Sequence, residues 1–130
     1  IFRWPSVIPK GRVSSEMAST IDLLPTIAAA AGANVRKKID GYDILPFLKG
    51  ESPSPRNEYY FSQSDFFEAV RQGPWKYRLR TSADEAELYH VDRDPSEMYN
   101  VIDRYPDIAQ NLDKALRTKA KLIGAKLRDQ

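Results

Sequence analysis

The sequence predicts an α+β fold in which a small antiparallel sheet of three to four strands is packed by a long C-terminal helix. Three observations predict this fold. Four short aromatic segments lie between positions 58 and 91. One of them, WKYRLR, alternates apolar with basic residues, which is the period of a half-solvated strand. After Pro106, apolar residues recur at helical spacing, so one amphipathic helix can cover one face of the sheet.

The composition excludes several classes of protein. The 130 residues suit one domain or a piece of a larger one, and 42% of them are hydrophobic. The net charge of +2 is too small to indicate nucleic acid as a partner. No apolar run approaches the roughly 20 residues that a membrane span needs, so we expect no membrane partner. The absence of cysteine excludes disulfides and thiolate chemistry within this stretch.

The first fifty residues predict one strand end and two helices. The opening IFRW is typical of the end of a buried strand. Asp22 is the expected cap of a helix over Leu23–Ala31, because Pro25 then falls in the first turn, where no amide is needed. A shorter helix is expected over Tyr42–Lys49, with Asp43 as its cap. The stretch 51–57, ESPSPRN, is rich in Pro and Ser and is predicted to be a flexible surface loop.

The middle of the chain predicts a meander. Gln72-Gly73-Pro74 reads as a tight turn that joins two strands in a hairpin. The residues at 81–85, TSADE, read as a polar turn. The expected strands cover 58–64, 66–72, 74–80 and 86–91.

The C-terminal helix is expected to run from Pro106 to about Arg128. Gly124 should weaken its end. The apolar stripe consists of Ile108, Leu112, Ala115, Leu116, Ala120, Ile123 and Leu127. Most of the basic residues, including Lys114, Arg117 and Lys121, take the other side. A membrane-surface helix is conceivable, but a helix that covers the sheet is favoured.

The residues by themselves show no active site. His90 is the single histidine, and with Asp92 it could act as a general base, although an ordinary strand position is favoured. No G-x-S-x-G is present. The carboxylates of Asp92, Asp94 and Glu97 could attract a hard cation. A turn role for Asp94 before Pro95, and a capping role for Glu97 or Asn100, explain this loop better. We therefore assign no catalytic residue and no metal ligand, and the substrate-binding residues stay unknown.

Basic residues accompany the predicted hairpin. Arg71, Lys76, Arg78 and Arg80 could together bind an anion or a single-stranded nucleic acid. More often such a row is the solvated side of a hairpin.

Five segments occur in an order that resembles the C-terminal part of the sulfatase family, within the alkaline-phosphatase-like superfamily. They are RWPSVIPKGRV at 3–13, STIDLLPTIAAAAG at 19–32, DGYDILPFLKGE at 40–51, EAVRQGPWKYRL at 68–79 and ELYHVDRDPSEMYNV at 87–101. No single segment is decisive, but five in the family's order form a specific pattern.

The resemblance implies that this chain is a C-terminal fragment of an enzyme that hydrolyses aryl or carbohydrate sulfate esters. Residues 1–50 would be the tail end of an α/β domain, including the strand end and first helix, and 51–130 the C-terminal subdomain. The parent enzyme would use calcium and a formylglycine, made from Cys or Ser in C/S-x-P-x-R. No such motif is present, since SPSPR at 52–56 has its Pro and Arg in other places.

Further expectations follow from the resemblance. The fragment alone should be inactive and should act as scaffold, while its partners would be the missing N-terminal catalytic domain and a sulfated small molecule or glycan. Arg71, Lys76 or His90 could touch such a substrate, and the family suggests a periplasmic or secreted location. Two alternatives stay open: a phosphate or phosphonate ester hydrolase of the same superfamily, and a non-catalytic module that binds anionic polysaccharide.

Overall fold

The structure, a computed structural model, describes residues 1–79 and 86–128. The chain divides into two compact units, Ile1–Asn57 and Glu58–Gln130, which are described separately. Arg80 and the predicted turn at 81–85 lie outside the described residues.

The first unit contains two helices. A single turn of 3-10 helix, Thr20–Asp22, leads into helix α1, Leu23–Ala30, and helix α2 covers Leu45–Lys49. Helix α1 starts after Asp22, as expected, and Gly32 follows it with a left-handed φ of 68°. Helix α2 is shorter than predicted, and its cap residue is Ile44 and not the expected Asp43. The Asp43 carboxylate lies one position earlier and accepts the Leu45 amide at 2.9 Å.

Residues 1–4 form no strand within this chain, where the Trp4 carbonyl accepts the amides of Val7 and Ile8 in a turn. The strand end expected there would pair with strands of another domain, so it stays a prediction. One prediction about the first unit is wrong. The stretch 51–57 is not a loose surface loop, because Ser54 and Arg56 are buried and hydrogen-bonded.

The second unit is built on an antiparallel meander. Its strands are β1 (Glu58–Gln63), β2 (Phe66–Gln72), β3 (Trp75–Arg78) and β4 (Glu87–His90), in that spatial order. The predicted hairpin is confirmed, since Gln72 pairs with Trp75 across the Gly73-Pro74 turn. A β-bulge interrupts the β1–β2 register between Phe61 and Ser62.

One face of the sheet forms the core. Val70, Tyr77 and Leu88 are direct cross-strand partners, and all three are buried. They pack against the apolar stripe of helix α3 (Pro106–Ile123), in which Ala109, Leu112, Leu116 and Ala120 are buried. The alternation predicted for WKYRLR is therefore confirmed for the described residues.

Helix α3 ends earlier than predicted. Gly124 adopts a left-handed φ of 70° and stops the helix instead of only weakening it. The next residues turn back as a short strand β5 (Lys126–Leu127), which pairs in parallel with Phe66 and Phe67 of β2. Leu127 is therefore buried from a strand, and Ile123, expected in the helical stripe, is 55% exposed.

Candidate functional site

The most conspicuous polar site lies in the first unit, around an ion pair between Asp22 and Arg56. Asp22 is fully buried and Arg56 is 7% exposed. The Arg56 guanidinium donates through both Nε and Nη2 to the two carboxylate oxygens, in the bidentate geometry that arginine favours. Nη2 also donates to the Asp40 carbonyl at 3.1 Å, and the guanidinium lies 4.9 Å from the Tyr42 ring centroid.

Two backbone amides complete the carboxylate's hydrogen bonds. The amides of Ser19 and Tyr42 donate to Asp22 at 2.8 and 2.9 Å. Burial raises the pKa of Asp22, but hydrogen bonds from Arg56, Tyr42 and Ser19 outweigh it, so the pKa lies below its usual range. The carboxylate is therefore held as a structural anion with its lone pairs occupied, and it is not available as a general base.

Two hydroxyl groups extend this network. Thr26 Oγ1 donates to the Asp22 carbonyl at 2.6 Å and accepts the Ile44 amide at 3.0 Å. Ser54 Oγ donates to the Met17 carbonyl at 2.5 Å, and the Ser54 amide donates to the Glu16 carboxylate at 2.7 Å. The network thus ties helix α1, the turn before helix α2 and the 51–56 stretch together.

His90 does not form a catalytic pair with Asp92. Its ring lies edge-on to Trp75, with centroids 4.7 Å apart, and its Nδ1 is buried without a hydrogen-bond partner among the described residues. The Asp92 carboxylate instead contacts Arg71 at 3.3 Å. The favoured interpretation of His90 as a strand residue with no proton-transfer partner agrees with this geometry.

The acidic loop after β4 serves as structure. Asp94 accepts the Tyr99 amide at 2.9 Å, as a turn residue should. Asn100 Oδ1 accepts the amides of Leu88 and Ile102, as expected for a capping residue. Glu97, also considered as a cap, instead binds Lys76 Nζ at 2.6 Å.

The basic residues of the hairpin that the structure describes each lie near a carboxylate of the second unit. Arg71 contacts Asp92, Lys76 contacts Glu97, and Arg78 lies 4.0 Å from Glu87. An anionic polymer would have to displace these carboxylates to reach the cations. This pairing weakens the alternative of a polysaccharide-binding module.

The described residues contain no cluster of metal ligands. Within 1–79 and 86–128, no group of three His, Asp or Glu side chains is arranged to hold a metal ion. The residues present therefore do not fit the calcium that the resemblance implies. In the same part of the chain, no helix is both long and apolar enough to cross a bilayer.

Comparison with known proteins identifies the family of this chain. Residues 1–122 match the family described as N-sulphoglucosamine sulphohydrolase, C-terminal. The chain belongs to the sulfatase family. This sulfatase C-terminal region is 35% identical to human arylsulfatase A over 94% of its own length, but it covers 30% of that relative.

Solved structures also align with this chain over only part of their own length. The sulfatase region aligns with BT4656, solved in complex with its substrate D-glucosamine-2-N,6-O-disulfate, at 26% identity and a TM-score of 0.71. The alignment covers 92% of this chain and 27% of that one. Ps i-CgsB, solved with a neocarrahexaose, shares the fold at a TM-score of 0.74 and 23% identity, over 90% of this chain and 27% of its own.

A phosphonate monoester hydrolase of Agrobacterium radiobacter also shares the fold. Its TM-score is 0.51 at 22% identity, with 75% of this chain and 24% of that chain covered. The likeness shows a common scaffold for sulfatases and this hydrolase.

Sequence reasoning missed the Asp22–Arg56 pair. It assigned Asp22 to a helix cap and Arg56 to a mobile loop. Two signals were available: Arg56 is the one cation of the Pro- and Ser-rich stretch 51–57, and Asp22 stands in front of an apolar helix. Neither residue indicates the other.

Proposed function

We propose that this chain is the C-terminal region of an enzyme that hydrolyses sulfate esters of aryl or carbohydrate compounds. One observation carries the proposal: residues 1–122 match a sulfatase C-terminal family, while the chain spans only 30% of human arylsulfatase A. The nucleophile and its activating groups would then belong to another part of the protein. In that enzyme this chain acts as scaffold.

The cofactors of this enzyme would also lie in the catalytic part of the protein and not in this chain. Formylglycine would be the nucleophile and calcium would hold the sulfate group, both in the catalytic part of the protein. This chain contributes neither, because it has no cysteine and no C/S-x-P-x-R motif. In this proposal the first unit completes the α/β catalytic domain, and the second unit forms a separate C-terminal subdomain. Residues 51–57 go with the first unit and not with the subdomain, because Ser54 and Arg56 are hydrogen-bonded within it.

The surface of the first unit supports the catalytic domain as its partner. Leu24 and Ile27 of helix α1 are 60% and 64% exposed, while the buried residues of that helix and its preceding turn are polar. A helix that turns its large apolar side chains outward needs a further apolar surface to cover them. We assign that cover to the catalytic domain.

A pair of matched variants tests the docking. Ile27→Asp in the full-length protein should abolish soluble, active enzyme, because it places a carboxylate in the covered surface. The same substitution in this chain alone should leave its unfolding midpoint within about 3 °C, since the position is exposed there. Full activity of the Ile27→Asp enzyme would contradict the assignment.

The second candidate is a phosphonate or phosphate ester hydrolase, favoured only by the shared fold with the Agrobacterium enzyme. Kinetics separate the two functions. The full-length protein should show a higher kcat/KM for 4-nitrophenyl sulfate than for 4-nitrophenyl phenylphosphonate. The reverse order would make the phosphonate hydrolase the better assignment.

The upstream coding sequence separates the same two functions. A C/S-x-P-x-R motif there would support the sulfatase, and a Thr in place of the Cys or Ser would support the phosphonate or phosphate ester hydrolase.

A further inference from the structure

The meander of the second unit has two edge strands, β1 and β4, and their outer sides differ. In the spatial order β1-β2-β3-β4, each of them pairs with a single strand among the described residues. An edge strand exposes a row of amides and carbonyls that can pair with a further strand. The register of the sheet determines which of these groups point outward.

The direction of the backbone groups of β2 follows from one hydrogen bond. The Leu79 amide donates to the Glu68 carbonyl at 2.7 Å, and both residues lie in the register of β2 with β3. In an antiparallel pair, hydrogen-bonded positions alternate along each strand. Glu68 and every second residue after it therefore direct their backbone groups to β3, whereas Ala69 and Arg71 direct theirs to β1.

The outward groups of β1 belong to Glu58 and Tyr60. The β1 residues opposite Ala69 and Arg71 are Phe61 and Tyr59, so these two form the backbone hydrogen bonds to β2. Glu58 and Tyr60 alternate with them and direct their amides and carbonyls away from the sheet. In the part of the chain that the structure describes, these four groups have no hydrogen-bond partner.

The outer side of β4 is covered, in contrast, by the segment that follows it. The Leu88 amide donates to Asn100 Oδ1 at 3.0 Å, and the Leu88 carbonyl accepts the Val101 amide at 2.9 Å. The His90 carbonyl accepts the Asp94 amide at 2.9 Å. The fold therefore satisfies the outward groups of one edge strand with its own chain, and leaves those of β1 for another partner.

The side chains of β1 permit pairing. Residues Glu58–Gln63 include no proline and no lysine, which are common devices against edge pairing, and three consecutive aromatic residues favour a strand. The Glu58 carboxylate accepts the Tyr60 hydroxyl and the Gln72 side-chain amide, both at 3.1 Å, so its charge is held over the sheet. The β-bulge after Phe61 limits the regular edge to about four residues, which suits a short segment.

We propose that β1 pairs with an extended segment from the part of the protein outside this chain. An extended backbone is the partner that such an edge recognises, because its amides and carbonyls complement those of Glu58 and Tyr60. This chain covers 30% of human arylsulfatase A, so most of a protein of that kind lies outside it. A segment of the same protein also meets the edge at a high effective concentration. The inference rests on the proposed function, which places this chain beside a catalytic part.

Amide hydrogen exchange tests the pairing, because neighbouring residues of β1 report on its two sides. In this chain alone, the Phe61 amide should be protected at least roughly tenfold more than the Tyr60 amide, since only Phe61 bonds to β2. In the full-length protein, the protection of the Tyr60 amide should rise at least roughly tenfold and approach that of Phe61. Equal protection of Tyr60 in the two proteins would overturn the proposal.

Glu58→Pro and Glu58→Ala are matched variants for the same test. Both remove the carboxylate, but only proline removes the outward amide, and an outer position of an edge strand tolerates proline. In the full-length protein, the Tyr60 amide should exchange about three- to tenfold faster in Glu58→Pro than in Glu58→Ala, because one hydrogen bond of the pairing is lost. Equal exchange in the two variants would contradict the pairing.

A second copy of this chain is the competing occupant of the edge. Protection of Tyr60 that rises with the concentration of this chain alone would assign the edge to a dimer and overturn the proposal. The proposed function fails on a different measurement, the hydrolysis of 4-nitrophenyl sulfate by the full-length protein. A protected Tyr60 amide in a full-length protein without that activity would refute the function and leave the strand pairing in place.

Discussion

The carboxylate of Asp22 and the guanidinium of Arg56, 34 positions apart in the sequence, form a buried bidentate ion pair. Around it, the large buried apolar side chains of the first unit are only Ile44 and Phe47 among the described residues. The first unit therefore depends on a satisfied polar network more than on an apolar core. Such a network is sensitive to the loss of one partner, because the other stays buried and charged.

Arg56→Ala should destabilise the first unit by about 3–5 kcal/mol, because it leaves the Asp22 carboxylate buried without its cation. Urea unfolding followed by the signals of the first unit measures this change. Lys49→Ala is the matched control, since it breaks the exposed contact with Glu51 and should cost less than about 1 kcal/mol. Equal effects of the two variants would show that the buried pair has no special role.

The stability of the first unit should fall in acid. The Asp22 pKa is below its usual range in the folded chain and close to about 3.9 when unfolded, so its contribution is present above about pH 4. It is lost as the pH falls through the lower folded-state pKa. The free energy of unfolding, compared between the natural chain and Asp22→Asn, should differ most at neutral pH and converge in acid. A difference that stays constant down to about pH 2 would contradict this assignment.

Gly41 should not tolerate any side chain. A Cβ at this position would lie 2.0 Å from the Ile21 carbonyl oxygen, although the backbone of Gly41 is not left-handed. Gly41→Ala and Gly41→Asn should both lower the unfolding midpoint by several degrees, since both carry a Cβ. At Gly32 nothing lies within 4 Å and only the φ of 68° is strained, so Gly32→Asn should be milder than Gly32→Ala. A Gly41→Asn variant milder than Gly41→Ala would argue against the steric explanation.

Leu116 should be the most sensitive leucine of helix α3. It is fully buried under the sheet, and Leu116→Ala should cost about 2–5 kcal/mol in the second unit. Leu122, on the same helix, is 78% exposed, so Leu122→Ala should change stability by no more than about 0.5 kcal/mol. Thermal unfolding of both variants measures the contrast, and similar losses would mean that the helix presents a different face to the sheet.

The regular parts of the fold were predictable because they depend on local periodicity. The alternation around Tyr77 and the stripe through Leu112 and Leu116 set the strands and the covering helix. Helix α3 was predicted too long because the apolar spacing continues to Leu127, whereas Gly124 ends the helix. Strand β5 was missed, since two residues carry no periodic signal and their partner, Phe66–Phe67, lies far away in the sequence.

The polar sites were predictable only where they are local. Asp94 accepts the Tyr99 amide and Asn100 accepts the Ile102 amide, and both partners lie close in the sequence. The turn and capping roles of these two residues were therefore recognised. The Asp22–Arg56 pair and the carboxylate partners of Arg71 and Lys76 join distant positions, and such pairing leaves no pattern in a single sequence. The family itself was recognised from the order of five segments, which a match over residues 1–122 confirms.

In the proposed enzyme, this chain supplies scaffold and the sulfatase chemistry resides elsewhere in the protein. The most direct measurement is sulfate release from 4-nitrophenyl sulfate by the purified chain, next to the full-length protein and a heat-killed control. We expect turnover by the full-length protein and none by the chain above the control. Turnover by the chain, or its absence from a folded full-length protein, would contradict the account.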